Sequence, residues 1–249
     1  MILFTRRPSG FTLVELIVTL TILAIVSVGI FGFIESSASG YVESRNREAL
    51  QSEARFAVER VGRELRHAVP NSLHVYSGGE CLVFTPIRYS GTYHQLVEGE
   101  NTLSVALSTK ETDWQSNVSE NHRIVFLPSS PADLTGDNSY QITGVVGNTI
   151  TTSKTAADLW PAESPSRRFF IYENSVSFCF DNNTDSLERR INNGTQNSTT
   201  LAMNIAAGSG FNLGTTSLAS GNLINITYKF SQSGESSVYN QQVQVLNAP

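Results

Sequence analysis

From Phe11 to Ile34 the chain is apolar, interrupted by Thr, Ser and Gly and by a single carboxylate, Glu15. At ~1.5 Å per residue such a run is about 36 Å long as a helix, enough to cross a ~30 Å hydrocarbon core. The pattern then changes without a break. Leu50, Ala54, Ala57, Val61, Leu65 and Ala68 recur at spacings of 4, 3, 4, 4 and 3, and charges of both signs from Glu43 to Arg66 fill the positions between. That is a narrow apolar stripe on a charged helix. Pro70 ends it, because the residue before a proline is pushed out of the α region. One helix from Phe11 to about Ala68, roughly 87 Å long, is longer than a compact domain can cover, so its first half is expected to project. Gly29, Gly32, Ser36, Ser37, Ser39 and Gly40 weaken its middle, each glycine by about 1 kcal/mol relative to alanine, which predicts a soft segment there. Small residues also permit close packing between helices in a membrane.

From Leu73 onward the period is two. Cys81–Phe84, Leu103–Leu107, Arg123–Leu127, Gln141–Val146, Phe169–Tyr172 and Ser175–Phe180 read as short strands between turn-rich segments. Gly147-Asn148 ahead of Thr149-Ile150-Thr151 predicts a tight hairpin. Asp181–Asp185 turns the chain into Ser186–Arg190, and a Pro-rich loop surrounds Trp160–Pro165. The tract from Asn192 to Gly221 is rich in Asn, Gly, Ser and Thr and reads as a surface excursion, with one strand or helical turn at Leu201–Ile205. A last strand pair runs from Leu223 to Phe230 and from Val238 to Leu246, joined by a turn at Ser231–Gly234. A long helix laid on an antiparallel sheet buries both the stripe and the apolar strand faces, so the fold class is α+β.

Charge orients this plan. The 249 residues carry 17 Lys and Arg against 22 Asp and Glu, a net charge of -5, and only 16% are charged. That argues against a nucleic-acid partner. The bases Arg6 and Arg7 precede the apolar run, which places the short leader in the cytoplasm and everything after Ile34 outside. Burying ionised Glu15 within the run costs on the order of 2.5 kcal/mol or more, so it needs a partner.

Arg6-Arg7-Pro8-Ser9-Gly10-Phe11-Thr12-Leu13-Val14-Glu15 resembles the class III signal of type IV prepilins and type II secretion pseudopilins. The resemblance implies that a membrane prepilin peptidase cuts after Gly10 and that Phe11 becomes the N-methylated mature N-terminus. It also implies that Glu15 meets the N-terminal amine of a neighbouring subunit during assembly. Loss of Arg6 and Arg7 would leave 15 basic against 22 acidic residues, a formal side-chain charge of -7. An ordinary signal anchor or secretory signal accounts for the basic flank and the apolar run, but not for Glu15. Many pilins carry a proline where this chain has Gly32, so no sharp kink is expected. The divisions that follow are a cytoplasmic leader over 1–10, a transmembrane and assembly half-helix over 11–34, an amphipathic half over 35–69, and a periplasmic β domain over 70–249.

The order of helix first and strands after is similar to the larger minor pilins and the J-type pseudopilins. Within that group, the strand-turn-strand around Cys179, with Leu187 and Arg189-Arg190 after it, and the ending Gln244–Pro249 look most like minor pilins of the mannose-sensitive haemagglutinin pilus. Two cysteines, Cys81 and Cys179, on the outer side of the membrane favour one disulfide; two separately buried thiols are the alternative.

Catalytic chemistry is not indicated. His67, His74, His94 and His122 lack metal spacing, and no nucleophile stands out among the many serines. Asp181, Asn183 and Asp185 copy the first alternating ligands of a calcium loop. Ser186 then replaces its glycine and Asn192 its bidentate glutamate, so neither calcium nor another cofactor is expected. Asp133–Asn138 is a second acidic loop with still less of the pattern. Two readings remain. One is a non-enzymatic filament subunit, held first in the inner membrane of a Gram-negative cell and then in a pilus at the surface, with other pilins and the peptidase as partners. The other is a membrane-tethered periplasmic domain that binds or cleaves a ligand. Glu15 favours the first, since a simple anchor gains nothing from a buried carboxylate.

Overall fold

A computed structural model describes residues 10–108, 111, 113–136, 138–154, 164–192, 197–214 and 222–245. Leader residues 1–9, most of the Trp160–Pro165 loop, Asp137, parts of the Asn192–Gly221 tract and the ending 246–249 lie outside the described residues. The chain divides into two units, Met1–Ala49 and Leu50–Pro249.

The first unit is the leading part of helix α1 (Leu13–Arg66). None of its described residues is buried. Gly29, Gly32 and Gly40 leave the helix unbroken, and a methyl group built on any of them meets nothing within 4 Å. Packing within this chain therefore does not require glycine at those positions.

The second unit begins where α1 turns amphipathic. Leu50, Ala54, Ala57, Val61 and Leu65 are buried to within 1% of complete, the same stripe that the spacing predicts. Two antiparallel sheets share one core with it. The first has strand order β1 (His74–Tyr76), β2 (Cys81–Phe84), β9 (Val176–Asp181), β10 (Ser186–Ile191), β11 (Ser198–Ala202); the second has β12 (Gly210–Leu213), β13 (Asn222–Gln232), β14 (Glu235–Val245). Within the first sheet Phe84 stacks on Phe178 with ring centroids 5.3 Å apart, and Phe180 stacks on Phe211 of the second sheet at 4.8 Å, which joins the two sheets through aromatic faces. Small side chains on α1 let the second sheet approach closely. Gly62 faces the Gln241 amide, whose Nε2 donates to the Val58 carbonyl at 3.0 Å, and a β-carbon at Gly62 would overlap that amide. Glu64 links α1 to the first sheet, accepting from Arg60 Nε at 2.6 Å and from Arg189 Nε at 2.9 Å.

The chain leaves the first sheet after β2 and returns at β9, two neighbouring strands. Between them lies a closed antiparallel barrel of strand order β3 (Tyr89–Tyr93), β4 (Thr102–Leu107), β7 (Thr149–Thr152), β6 (Ser139–Val146), β5 (Arg123–Val125), β8 (Arg168–Tyr172), with one short helix, α2 (Trp114–Asn117). It has its own core, including Tyr93, Leu103, Trp114, Ile124, Phe126, Ile150, Phe169 and Ile171. A smaller cluster of Val69, Val125, Leu134, Phe170 and Tyr172 sits where the helix end meets the barrel. There the last turn of α1 gives way to β-type pairing. Val69 N–H donates to the Thr85 carbonyl at 2.8 Å and Ile87 N–H to the His67 carbonyl at 2.9 Å, just before Pro70.

The α+β class, with a long N-terminal helix followed by antiparallel strands, is what the sequence predicts. The single sheet expected from the strand pattern is instead two sheets and a barrel. Strand β3, whose centre is Ser90-Gly91-Thr92, lacks the alternation that signals a strand. Gly91 is required there because a β-carbon would collide with the Ala106 carbonyl on β4. The Asn-rich tract supplies β11 and β12, more regular structure than the one element expected at Leu201–Ile205.

Candidate assembly and processing site

Gly10, Phe11 and Thr12 are non-helical, and α1 starts at Leu13. Thr12 caps it: its Oγ1 accepts the Glu15 N–H at 3.3 Å, and its carbonyl accepts the Leu16 N–H at 3.2 Å. The helix therefore begins two residues after the Gly10–Phe11 bond, and that bond stays in non-helical backbone. The apolar run begins at Phe11 and does not by itself mark Thr12 as the cap. Thr12-Leu13-Val14-Glu15 is nonetheless a capping-box spacing, and that signal was available.

The hydroxyls of the apolar segment are satisfied on their own helix. Thr19 Oγ1 donates to the Leu16 carbonyl at 2.9 Å, Thr21 Oγ1 to Val18 at 2.9 Å and Ser27 Oγ to Leu23 at 2.7 Å. Such back-bonding lets Ser and Thr enter hydrocarbon at little cost. Glu15 differs from them, because among the described residues no side chain meets its carboxylate. The flanking Phe11, Leu13, Val14, Leu16 and Ile17 are all more than half exposed. Length and composition make this helix able to cross a membrane, and none of its most apolar window is buried.

Cys81 and Cys179 lie directly opposite one another on β2 and β9 and are joined by a disulfide, with Cα atoms 4.2 Å apart. Phe180 N–H donates to the Glu80 carbonyl at 2.9 Å, so the adjacent cysteine pair is the non-hydrogen-bonded one, where side chains approach most closely. Tyr76 Oη lies 3.5 Å from Cys179 Sγ. The bond spans 98 positions of chain and encloses the whole barrel.

The acidic loops are engaged by backbone N–H groups and by neighbouring side chains of the same chain. Asp181 Oδ1 accepts the Asn183 N–H at 2.9 Å, its Oδ2 meets Arg190 at 3.3 Å, and Asn182 Nδ2 donates to Glu80 at 2.6 Å. These residues and the disulfide border an open, polar concavity of about 390 Å³. Asp133 accepts from Ser129 N–H, Ser129 Oγ, Ser130 N–H and Asn138 Nδ2. Burial works to raise its pKa, and those hydrogen bonds outweigh it, holding the carboxyl below its ordinary value. Among the described residues no group of three or more His, Cys, Asp or Glu could hold a metal ion. The buried His122 takes the Ser119 N–H on Nδ1 at 3.1 Å; His67, His74 and His94 are exposed on separate elements.

Residues 5–31 match the family model described as the prokaryotic N-terminal methylation motif. No curated protein and no solved structure matches the chain. The motif is type IV prepilin-like. It supports the pilin and pseudopilin superfamily, marks the N-terminus as that of a prepilin-peptidase substrate, and points to a structural subunit. Together with the apolar helix it fits membrane anchoring.

Proposed function

We propose that this chain is a minor pilin, cleaved between Gly10 and Phe11, N-methylated on Phe11 and built into, or priming, a type IV pilus. One observation carries the reading: in an apolar segment whose Thr19, Thr21 and Ser27 hydroxyls are bonded internally, the Glu15 carboxylate has no partner among the described residues. Cleavage creates an amine four residues away from it. A neighbouring subunit's amine is the partner this reading assigns to Glu15. Subunits wait in the inner membrane as single-span proteins; as each enters the filament, its apolar helix leaves lipid for other helices, and Glu15 sets the register by charge pairing. The β domain lies in the periplasm and then on the pilus. Within the minor pilins, the segment around Cys179 and the chain's ending make MshO of the mannose-sensitive haemagglutinin pilus the preferred identity. A J-type pseudopilin of a type II secretion system is the alternative.

The test is Glu15→Gln, expressed with the cognate peptidase and assembly machinery. Membrane insertion and leader cleavage are expected to persist while incorporation into filaments falls at least tenfold. Filaments containing the variant at normal stoichiometry would return the helix to the role of a simple anchor. Whether filaments appear on the cell surface or stay in the envelope separates pilus from secretion system.

A further inference from the structure

Two strand edges are open on the sheets that pack against α1: β14 at the margin of the second sheet and β11 at the margin of the first. Both residues of the Ser233-Gly234 turn have positive φ, the geometry that makes Gln232↔Glu235 a hydrogen-bonded pair. The even-numbered residues of β14 therefore turn their main-chain groups away from β13. On the other margin Cys81↔Cys179 is a non-hydrogen-bonded pair, so Cys179↔Glu188 is bonded, and so in turn is Arg189↔Thr199. Ser198 and Thr200 thus face outward. Among the described residues, the main-chain groups that Ser198, Thr200, Val238, Asn240 and Gln242 turn outward have no partner. Open edges are normally blunted by charge or proline, and neither occurs in Ser198–Ala202 or from Ser236 to Val245. The register shift at Leu187/Glu188 lies beyond Thr200 and leaves Ser198–Thr200 regular.

Both edges have a direction relative to α1. Glu53 accepts from Met203 N–H and Asn204 Nδ2, just past the end of β11, whereas Glu64, further along the helix, meets Arg189, the partner of Thr199. Strand β11 therefore runs against α1. On β14, Gln241 donates to the Val58 carbonyl and Arg66 borders Gln242, Val243 and Gln244, so β14 runs with α1. Two copies whose helices point the same way bring β14 of one and β11 of the next together antiparallel.

We propose that β14 of one copy of this chain pairs with β11 of the next, with Asn240 opposite Thr200 and Gln242 opposite Ser198. Both are hydrogen-bonded pairs, giving about four inter-strand hydrogen bonds. Arg189 and Gln241 point toward α1, so their neighbours Thr200, Ser198, Asn240 and Gln242 point away from it, and the helices of both copies lie on one face of the joined sheet. Hydroxyls on β11 meet amides on β14. Within the chain Thr227 uses Asn240 Oδ1 and Asn225 takes Gln242 Nε2, each at 3.1 Å. Asn240 Nδ2 is left to donate to Thr200, and Gln242 Oε1 to accept from Ser198. Direction, face and side-chain chemistry together select a second copy. Each joined pair keeps one free edge of either kind, so the contact is heterologous and extends copy by copy as a row of parallel helices. It takes from the proposed function only that all copies cross the membrane in one direction, and it is independent of leader cleavage and of Glu15.

Cys81 and Cys179 are the chain's two cysteines and are bonded to each other, so an engineered thiol is unique. Thr200→Cys and Asn240→Cys, both at exposed positions, are placed on differently tagged full-length chains and co-expressed in the inner membrane of cells lacking the peptidase. A short bismaleimide is expected to link the two into heterodimers, and to link chains carrying both substitutions into a ladder. Replacing Asn240→Cys by Ser231→Cys, at the exposed turn end of β13, should give about tenfold less product. Gln242→Pro removes an N–H that has no partner within the chain, so the fold should persist, as limited proteolysis checks, while cross-linking falls about tenfold. Glu15→Gln should leave cross-linking unchanged. Absence of product from the Thr200 and Asn240 thiols overturns the proposal. So does equal product from Ser231, which would mean association through the apolar helix alone, and so does cross-linking that survives Gln242→Pro. Because neither cleavage nor Glu15 enters the assay, a failure here sinks this interface and leaves the prepilin reading to its own test.

Discussion

Reducing the Cys81–Cys179 bond perturbs a covalent clamp without changing a side chain, and the barrel it encloses sets the magnitude. If the whole second unit unfolds together, the bond closes a loop spanning 98 positions. The chain-entropy model then gives about 4.7 kcal/mol of stabilisation. If the barrel stays folded while the sheets open, the effective loop is far shorter. Tyr89 pairs with Ile171, so the barrel's ends are already together. Only roughly 15 residues then remain between barrel and cysteines, and the same model gives about 3 kcal/mol. Denaturant unfolding of the full chain in detergent, with and without reductant, measures the difference. A Cys81→Ala, Cys179→Ala double variant serves as the control and should not respond to reductant. A loss between about 3 and 5 kcal/mol is expected, with the lower value accompanied by a second transition from the barrel. A loss below about 1 kcal/mol would refute the entropic reasoning.

Gly10→Leu should leave an uncleaved precursor, and mass spectrometry of the wild-type mature chain should find Phe11 at its N-terminus; any other terminus in cells with the peptidase defeats the assignment. Glu64→Ala leaves Arg189 without its helix partner and should cost about 1–2 kcal/mol, and a double-mutant cycle with Arg189→Ala should return a coupling near 1 kcal/mol. Because its folded pKa lies below the ordinary 3.8, Asp133 adds stability that is fully present above that value and lost as pH falls through the folded pKa. The stability gap between wild type and Asp133→Asn should therefore shrink below about pH 4; a gap that stays constant down to pH 2 would contradict it.

The helix was readable because both its halves follow one period and Pro70 stops it; the buried stripe of Leu50, Ala54, Ala57, Val61 and Leu65 is the predicted one. Strands with buried alternation, such as Leu103–Leu107, and the final hairpin were equally legible. The barrel was not. Its closure depends on β8 pairing with both β3 and β5, contacts between distant segments that no local period encodes. Strand β3 hides for a second reason, since Gly91 is chosen by the approach of β4 rather than by strand propensity. At the N-terminus the residue types Gly10, Phe11 and Glu15 carry the resemblance to a prepilin signal by themselves, whereas the boundary of the helix at Thr12 needed the hydrogen bond to be seen.

Phe84 and Val176 are paired neighbours, so the chain departs from the sheet and rejoins it at a single point. Everything between them is topologically a hairpin loop, however long. Loop-closure entropy grows only logarithmically with length, about 0.6 kcal/mol per doubling. A lineage could therefore gain, lose or exchange the barrel at the cost of the small cluster around Val69, while the stripe of α1 and the two sheets kept their contacts, and the point between Thr85 and Ser175 is a natural socket for cargo. A foreign domain whose termini lie a strand spacing apart could be carried there.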